Sequence, residues 1–165
     1  MTMLEKYNPG EILKIAVEVE KNGKELYALL EVKSRDPQAG LLWAYLKQQE
    51  EVHQQTFQEM LSNQKDYLVV EFSTGEHEPY LKAIASEYIF TQDLIKEHIG
   101  QEFKSDSEAI DFGISVEKIS ILTYSALREY INKNKQPVLD KVIDEEKNHL
   151  AKLKSLKRTI DHTGI

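Results

Sequence analysis

The sequence predicts an all-α fold, a four-helix bundle in which one long crossover contains an extra helix. Four segments place apolar residues three and four positions apart, which gives a helix one apolar face. The predicted helices span residues 9–33, 37–63, 107–132 and 137–160. Within each pair the link is short, whereas residues 64–106 separate the two pairs. Two hairpins joined by one long connection are typical of a bundle with a single crossover.

Polar caps and prolines mark the starts of the predicted helices. An Asn or Asp cap followed by proline suits the first turn, because the missing N–H of proline costs no hydrogen bond there. The residues that carry these signals are Asn8-Pro9, Asp36-Pro37, Asp106 or Ser107, and Pro137.

The crossover between the pairs is too long to be a simple loop, so we expect it to contain structure of its own. Its apolar spacing predicts an extra helix near residues 79–98. The segment from Tyr67 to Phe72 has the composition of a strand, although the sequence offers it no obvious partner. We expect the whole chain, residues 1–165, to form one domain.

Composition excludes several classes of function. The chain has no cysteine, which removes disulfides, thiolate zinc sites, iron–sulfur clusters and cysteine nucleophiles. Its net charge of −7 disfavours nucleic acid as a partner, and the basic segment 152–158 is interpreted as the solvated face of the last helix. The chain has neither a long apolar run nor a signal-peptide core at its start, so we expect no membrane span and a cytoplasmic location.

The chain also resembles itself. Residues 11–30 align with residues 108–127 at an offset of 97, and the second and fourth helices align at an offset of 96. The matched residues include Glu20 with Glu117, Tyr27 with Tyr124, Glu50 with Glu146, and His53 with His149. We interpret the repeat as a duplicated helical hairpin, which would build a two-fold site at its axis. The alternative is that amphipathic helices resemble one another by chance.

Ligand-type side chains interrupt the apolar stripe of each long helix. The first and third helices each place one glutamate in the middle of the stripe, with small residues on either side. The second and fourth helices each place a glutamate and a histidine one turn apart, so that both point toward one spot. The six candidate metal ligands are Glu20, Glu50, His53, Glu117, Glu146 and His149.

Four facing carboxylates in a bundle core would repel one another and lose their hydration. Protons can neutralise them, but two divalent cations would cancel a charge of about −4 more completely. Mixed carboxylate and imidazole ligation suits iron or manganese, with zinc as a possible substitute. A single Glu-x-x-His is weak evidence, because such pairs usually lie on the exposed face of a helix. The metal site is predicted by the joint pattern of ligand-type residues on all four helices.

For several residues near the six candidate ligands, the sequence leaves two interpretations open. Tyr27 and Tyr124 share the stripe with the glutamates, and we predict that each either hydrogen-bonds a ligand carboxylate across the bundle or is a plain core tyrosine. Glu51 and Glu145 fall to the side of the stripe and are interpreted as solvated or as contacts outside the ligands. Trp43 is expected in the core or at a dimer contact.

The spacing of these residues resembles that of the rubrerythrin branch of the ferritin-like di-iron carboxylate proteins, which place one Glu on each of two helices and Glu-x-x-His on the other two. The resemblance covers the four bundle helices. It implies a ferritin-like fold and two iron ions bridged by Glu50 and Glu146. It further implies that Glu20 and His53 complete one iron and that Glu117 and His149 complete the other.

The resemblance also implies a homodimer and a reaction with hydrogen peroxide or dioxygen. Rubrerythrins usually carry a rubredoxin domain with four cysteines, which this chain lacks, so electrons would come from an external donor such as a rubredoxin-like protein. They also tend to have an extra glutamate where this chain has Ser120. The alternatives to an oxidoreductase are a ferroxidase that handles iron, or a non-catalytic interaction module that a metal stabilises.

Overall fold

The computed structural model describes residues 9–69 and 102–163, and between them positions 79, 82, 83, 86, 93–95 and 97. The long helices and one short helix are α1 (Pro9–Lys33), α2 (Pro37–Ser62), α3 (Gln64–Tyr67), α4 (Asp106–Arg128) and α5 (Gln136–Thr163). The predicted all-α fold is confirmed. Helices α1 and α2 form one hairpin, and α4 and α5 form the other, and the two hairpins pack together as a bundle.

The structure tests the predicted caps of α2 and α4, whereas the predicted cap Asn8 lies outside the described residues and α5 begins one residue before Pro137. Asp36 caps α2, because its carboxylate accepts hydrogen bonds from the backbone N–H groups of Gln38 at 2.7 Å and Ala39 at 3.2 Å. The predicted cap of α4 was Asp106 or Ser107, but the cap is Ser105, whose hydroxyl accepts from the N–H of Glu108 at 3.1 Å. Because Ser105 caps the helix, the Asp106 carboxylate is available to contact the other hairpin.

The carboxylate of Asp106 ties the start of α4 to the link between α1 and α2. It accepts hydrogen bonds from the backbone N–H of Asp36 at 2.8 Å and from that of Arg35 at 3.2 Å. These two N–H groups precede α2 and have no helical partner, so the contact satisfies donors that the chain reversal leaves free. It also holds the two hairpins together at this end of the bundle.

The predicted third helix extended to residue 132, which is wrong, because α4 ends at Arg128. Ile131 leaves the helix to form an antiparallel bridge with Leu68. The N–H of Val69 donates to Tyr130 O at 3.0 Å, and the N–H of Asn132 donates to Tyr67 O at 2.8 Å. Backbone pairing between the two hairpins therefore replaces the last helical turn. The strand predicted from Tyr67 is wrong at its start, because Tyr67 ends α3 and Leu68 forms only an isolated bridge.

The remainder of the predicted strand, residues 70–72, lies outside the described residues. Most of the predicted extra helix, residues 79–98, lies outside them as well. The positions of this segment that the structure describes are all helical; they are 79, 82, 83, 86, 93–95 and 97. No helix in the described parts of the chain has the length and apolar character needed to cross a bilayer.

The core consists of two clusters of buried apolar residues, one on either side of a buried polar layer. Each long helix contributes to both clusters, and its ligand-type residues lie between the two contributions along the helix. The first cluster includes Leu13, Phe57, Tyr124 and Leu139, and the second includes Tyr27, Trp43, Ile110 and Leu153. The bundle therefore buries its polar layer by enclosing it between two apolar ones.

Gly113 on α4 permits the close packing of the second cluster. A Cβ atom at this position would lie 2.9 Å from Cη2 of Trp43 and 3.2 Å from its Cζ3, and Trp43 is fully buried. At Gly40 on α2, by contrast, a Cβ would make only ordinary contacts, 3.7 Å from Glu31 O and 3.8 Å from Ser34 Cβ. The two glycines are therefore a matched pair, one crowded and one open.

We expect Gly113→Ala to destabilise the protein and Gly40→Ala to stabilise it, both measured by urea unfolding of the metal-free protein. Overpacking costs about 1–3 kcal/mol, and replacing a helical glycine by alanine offsets about 1 kcal/mol of that cost. Gly40→Ala has only the second effect, a gain of roughly 0.5–1 kcal/mol. Equal gains in both variants would contradict the packing described for Trp43.

Candidate metal centre

All six predicted ligand residues are buried in the polar layer between the two apolar clusters. Their exposed fractions do not exceed 5%. Helix α1 contributes one glutamate and α4 another, while α2 and α5 each contribute a glutamate and a histidine. They are Glu20, Glu50, His53, Glu117, Glu146 and His149. An acid–imidazole pair one turn apart reaches the layer because residues three apart share a helix face.

The six side chains form two groups that have two members in common. In each group, one ligand atom per residue lies within 4.8 Å of the others. The first group contains Glu20, Glu50, His53 and Glu146, and the second contains Glu50, Glu117, Glu146 and His149. Glu50 and Glu146 thus stand where a carboxylate could serve two ions, as the resemblance to the di-iron proteins implies.

Four atoms at the centre of the cluster are buried without a hydrogen bond, which tests whether the residues fit a metal. They are Glu20 Oε2, His53 Nδ1, Glu117 Oε2 and Glu146 Oε1. Two of them, His53 Nδ1 and Glu146 Oε1, are only 2.9 Å apart, yet neither makes a hydrogen bond of acceptable geometry. A buried polar atom left unpaired costs about 1–3 kcal/mol. Divalent cations would satisfy all four atoms, so the residues fit a two-metal centre.

The two tyrosines cross between the hairpins and each holds one carboxylate. The hydroxyl of Tyr27, on α1, donates to Oε1 of Glu117, on α4, at 2.8 Å. The hydroxyl of Tyr124, on α4, donates to Oε1 of Glu20, on α1. Each contact occupies one oxygen of its glutamate and leaves Oε2 facing the centre. Of the two predicted roles for these tyrosines, the structure therefore has the hydrogen bond across the bundle.

Aromatic packing fixes the tyrosine rings. Tyr27 stacks on Trp43 with ring centroids 5.3 Å apart and an interplanar angle of 24°. Tyr124 packs against Phe57 with centroids 4.6 Å apart. Trp43 is fully buried, so of its two predicted locations it occupies the core. A ring packed against a buried aromatic neighbour keeps its hydroxyl directed at the carboxylate, which orders the cluster before any metal binds.

A further acid contacts the cluster from outside. His53 Nε2 forms a hydrogen bond with Oε2 of Glu145 at 2.9 Å, while His53 Nδ1 faces the centre. Glu145 precedes Glu146 on α5 and lies beside the apolar stripe, so sequence periodicity placed it only as solvated or as a contact outside the ligands. The structure resolves that ambiguity in favour of the contact. Glu51, the other acid beside a motif residue, is exposed.

Gly23 sets the space that Glu50 occupies. A Cβ atom at Gly23 would lie 2.9 Å from Glu50 Oε2, so no larger residue fits one turn after Glu20 without moving that carboxylate. The sequence predicted that small residues leave room beside each central glutamate. On α1 this room is filled by the carboxylate of the neighbouring helix. The matching position on α4 is Ser120, which is also buried.

Burial and mutual repulsion govern the ionisation of the carboxylates. Burial raises the pKa of Glu50 well above its ordinary value, and the charges of Glu20 and Glu146 raise it further. Burial likewise raises the pKa of Glu117, and the nearby Glu146 adds to the effect. Burial would also raise the pKa of Glu146, but the close approach of Glu117 and of the two histidines outweighs burial and lowers that pKa.

Burial acts on the pKa of the two imidazoles in the opposite direction. Burial alone lowers the pKa of a histidine, but the adjacent carboxylates of Glu146 and Glu20 outweigh burial and raise the pKa of His53 to about 11. Glu117 and Glu146 raise the pKa of His149 to about 9 in the same way. Without metal, therefore, the lowered pKa of Glu146 and the raised pKa values of both histidines favour a carboxylate paired with two imidazolium groups, whereas burial favours the neutral forms of Glu50 and Glu117.

A helical bundle with a buried cluster of glutamates and histidines on four helices belongs to the class of two-metal carboxylate proteins. The sequence matches the rubrerythrin family over residues 11–157, and the chain belongs to that family. Family membership and the Glu/His cluster together support a metal site of the diiron-carboxylate type.

The fold is similar to a crystal structure from Thermotoga maritima, of a protein proposed to be a ferritin-like diiron-carboxylate protein. The TM-score is 0.66 at 24% sequence identity, and the match covers 92% of this chain and 95% of the other. At this identity the likeness supports the fold. No curated protein matches the chain with significant similarity.

We expect divalent metal binding to release protons, so that the apparent affinity rises with pH. At pH 7 both histidines are imidazolium groups with a proton on each nitrogen, because their pKa values of about 11 and about 9 lie above that pH. A nitrogen cannot hold a proton and a metal together, and each proton released makes the affinity rise about tenfold per pH unit. Calorimetric titration with Mn²⁺ in buffers of different ionisation enthalpy measures the release. An affinity that stays constant between about pH 6 and pH 8 would contradict this account.

Proposed function

We propose that this protein is a di-iron oxidoreductase that reduces hydrogen peroxide or dioxygen with electrons from an external donor. One observation carries the proposal: six buried ligand-type side chains form two groups that share Glu50 and Glu146. In this proposal those two carboxylates would each serve both ions. Glu20 and His53 would hold one ion, and Glu117 and His149 would hold the other. The family to which the chain belongs supports the same assignment.

The donor set favours iron as the resident metal. Four glutamates contribute a charge of about −4, and two divalent ions cancel it, while the mixture of carboxylate and imidazole suits iron or manganese more than calcium or magnesium. Zinc fits the ligands but has no redox chemistry. Iron and manganese both match the ligands and can change oxidation state, and the likeness to a diiron-carboxylate protein favours iron between them.

Iron held here would supply two electrons, one from each ion, for cleavage of the O–O bond. The balance is H₂O₂ + 2 e⁻ + 2 H⁺ → 2 H₂O, so the protein must admit protons as well as electrons. Tyr27 and Tyr124 each keep one glutamate oxygen fixed and the other directed at the centre. The apolar clusters above and below exclude bulk water and strengthen each of these electrostatic contacts.

The electron donor in this proposal is a separate protein. The 165 residues contain no cysteine, so they cannot hold a thiolate-bound iron of the rubredoxin type. Ser120 occupies the position where rubrerythrins tend to have an extra glutamate, and it offers no carboxylate. We therefore propose that the same six ligands serve both oxidation states of the centre.

We also propose that the protein is a homodimer. Exposed apolar side chains share the outer face of α2: Leu41 is 73% exposed, Val52 50% and Tyr45 36%. Residues 41, 45 and 52 fall within about 40° of one another around a helix, so they form a stripe. An exposed apolar stripe supports an interface between two copies.

Light scattering of the purified protein measures the mass of the assembly. We expect the mass of two chains, and a large shell would instead favour iron storage.

The oxidoreductase proposal predicts rapid, stoichiometric oxidation of bound iron by peroxide. Metal-free protein is loaded anaerobically with two equivalents of Fe²⁺ and mixed with hydrogen peroxide in a stopped-flow spectrometer. We expect oxidation faster than that of free Fe²⁺, and return to Fe²⁺ when an external reductant is added. Glu50→Ala removes a shared ligand and should abolish the fast phase.

Glu51→Ala is the matched control, because it removes the neighbouring acid, which is exposed and outside the cluster. It should leave the fast phase unchanged. If Glu50→Ala behaves like the unaltered protein, or if bound iron is oxidised no faster than free iron, the proposal is wrong. Metal analysis of protein purified without added metal tests separately whether iron is the resident ion.

A further inference from the structure

The two halves of the cluster differ at the outer nitrogens of their histidines. His53 Nε2 has a carboxylate partner, Glu145 Oε2, at 2.9 Å. His149 Nε2 is buried and has no hydrogen-bond partner among the residues that the structure describes. In both histidines Nδ1 faces the carboxylates at the centre. The six ligands and the two tyrosines follow the internal repeat, so this difference is a departure from an otherwise two-fold arrangement.

The sequence accounts for the difference. The offset of 96 that pairs Glu50 with Glu146 also pairs Gln49 with Glu145. Each residue immediately precedes a shared ligand, but one is an anion and the other is a neutral amide. Gln49 is half-buried and makes no hydrogen bond to His149 in the described part of the chain.

The surroundings of the two outer nitrogens differ in charge as well. The ring of Tyr45 lies perpendicular to that of His149 with centroids 5.8 Å apart, and Lys152 Nζ lies 5.5 Å from the centre of the Tyr45 ring. Glu145 is 31% exposed in its side chain, and Lys141 Nζ lies 3.9 Å from its second oxygen. His53 therefore has an anion at its outer nitrogen, whereas His149 packs against an aromatic ring that has a cation on it.

A carboxylate on the outer nitrogen changes a histidine as a ligand. It holds the hydrogen on Nε2, which leaves the Nδ1 lone pair for the centre, and it increases the electron density that Nδ1 can donate. It also holds the ring in one orientation, so less freedom is lost when an ion binds. Removing such a partner typically weakens metal binding by about 10–100-fold.

We infer that Glu145 is a positioning residue that makes the two metal positions unequal, so that the position of Glu20 and His53 binds its ion more tightly than that of Glu117 and His149. The inference rests on the metal centre of the proposed function, but not on its reaction with peroxide. The second position lacks such a residue, because the repeat has the neutral Gln49 where it would need a carboxylate to contact His149.

Titration of metal-free protein with Co²⁺ tests the inference, because the visible absorbance of bound Co²⁺ counts ions without redox chemistry. We expect two binding steps of different affinity in the unaltered protein. Glu145→Gln should weaken the tighter step by roughly 10–100-fold and bring the two steps together. Gln49→Glu should strengthen the weaker step, and it is an independent variant that does not depend on how Glu145→Gln folds.

Glu51→Gln is the control for net charge, because it removes one negative charge from an exposed position beside a shared ligand. It should leave both steps nearly unchanged. If Glu145→Gln and Glu51→Gln shift binding equally, or if neither Glu145→Gln nor Gln49→Glu alters the ratio of the two affinities, the inference is overturned. Failure of Co²⁺ to bind at all would overturn it together with the metal centre, whereas slow oxidation by peroxide would contradict only the proposed reaction.

Discussion

The structure depends on placing four carboxylates and two imidazoles where water cannot reach them. Isolated charges in such a place cost several kcal/mol each, and the cost rises when like charges face one another. Without metal, the cluster lowers this cost by pairing charges: the Glu146 carboxylate lies beside both imidazoles, and burial raises the pKa of Glu50 and of Glu117. Divalent ions would satisfy the same side chains and the four unpaired atoms at their centre, so protons and metal ions compete for one site.

The bundle is organised around this polar layer. An apolar cluster lies on each side of it, and every long helix contributes to both clusters. Burial of the clusters supplies the free energy that keeps the charged layer dry. Glycines at two points permit close approach, since Gly23 makes room for the Glu50 carboxylate and Gly113 for the Trp43 ring. The packing of the apolar layers therefore helps to fix the positions of the ligand side chains.

The internal repeat explains why the ligands converge and also where they differ. Each hairpin sends a tyrosine to a glutamate of the other hairpin, so neither hairpin orders its own central glutamate alone. The outer residues do not follow the same two-fold rule, as Glu145 and Gln49 illustrate. A duplicated hairpin therefore provides an approximately symmetric set of ligands, and single substitutions beside those ligands give the two halves separate chemical character.

Periodicity alone determined the four long helices and the six buried ligand-type residues, because apolar spacing reports which face of a helix is buried whatever its neighbours. It could not determine contacts between helices. The end of α4 at Arg128 depends on pairing with Leu68, the cap of α4 on the use of Asp106 by the other hairpin, and the role of Glu145 on the approach of His53 from α2. Each of these joins residues more than 60 positions apart, so the local pattern carries no signal of them and only tertiary packing decides them.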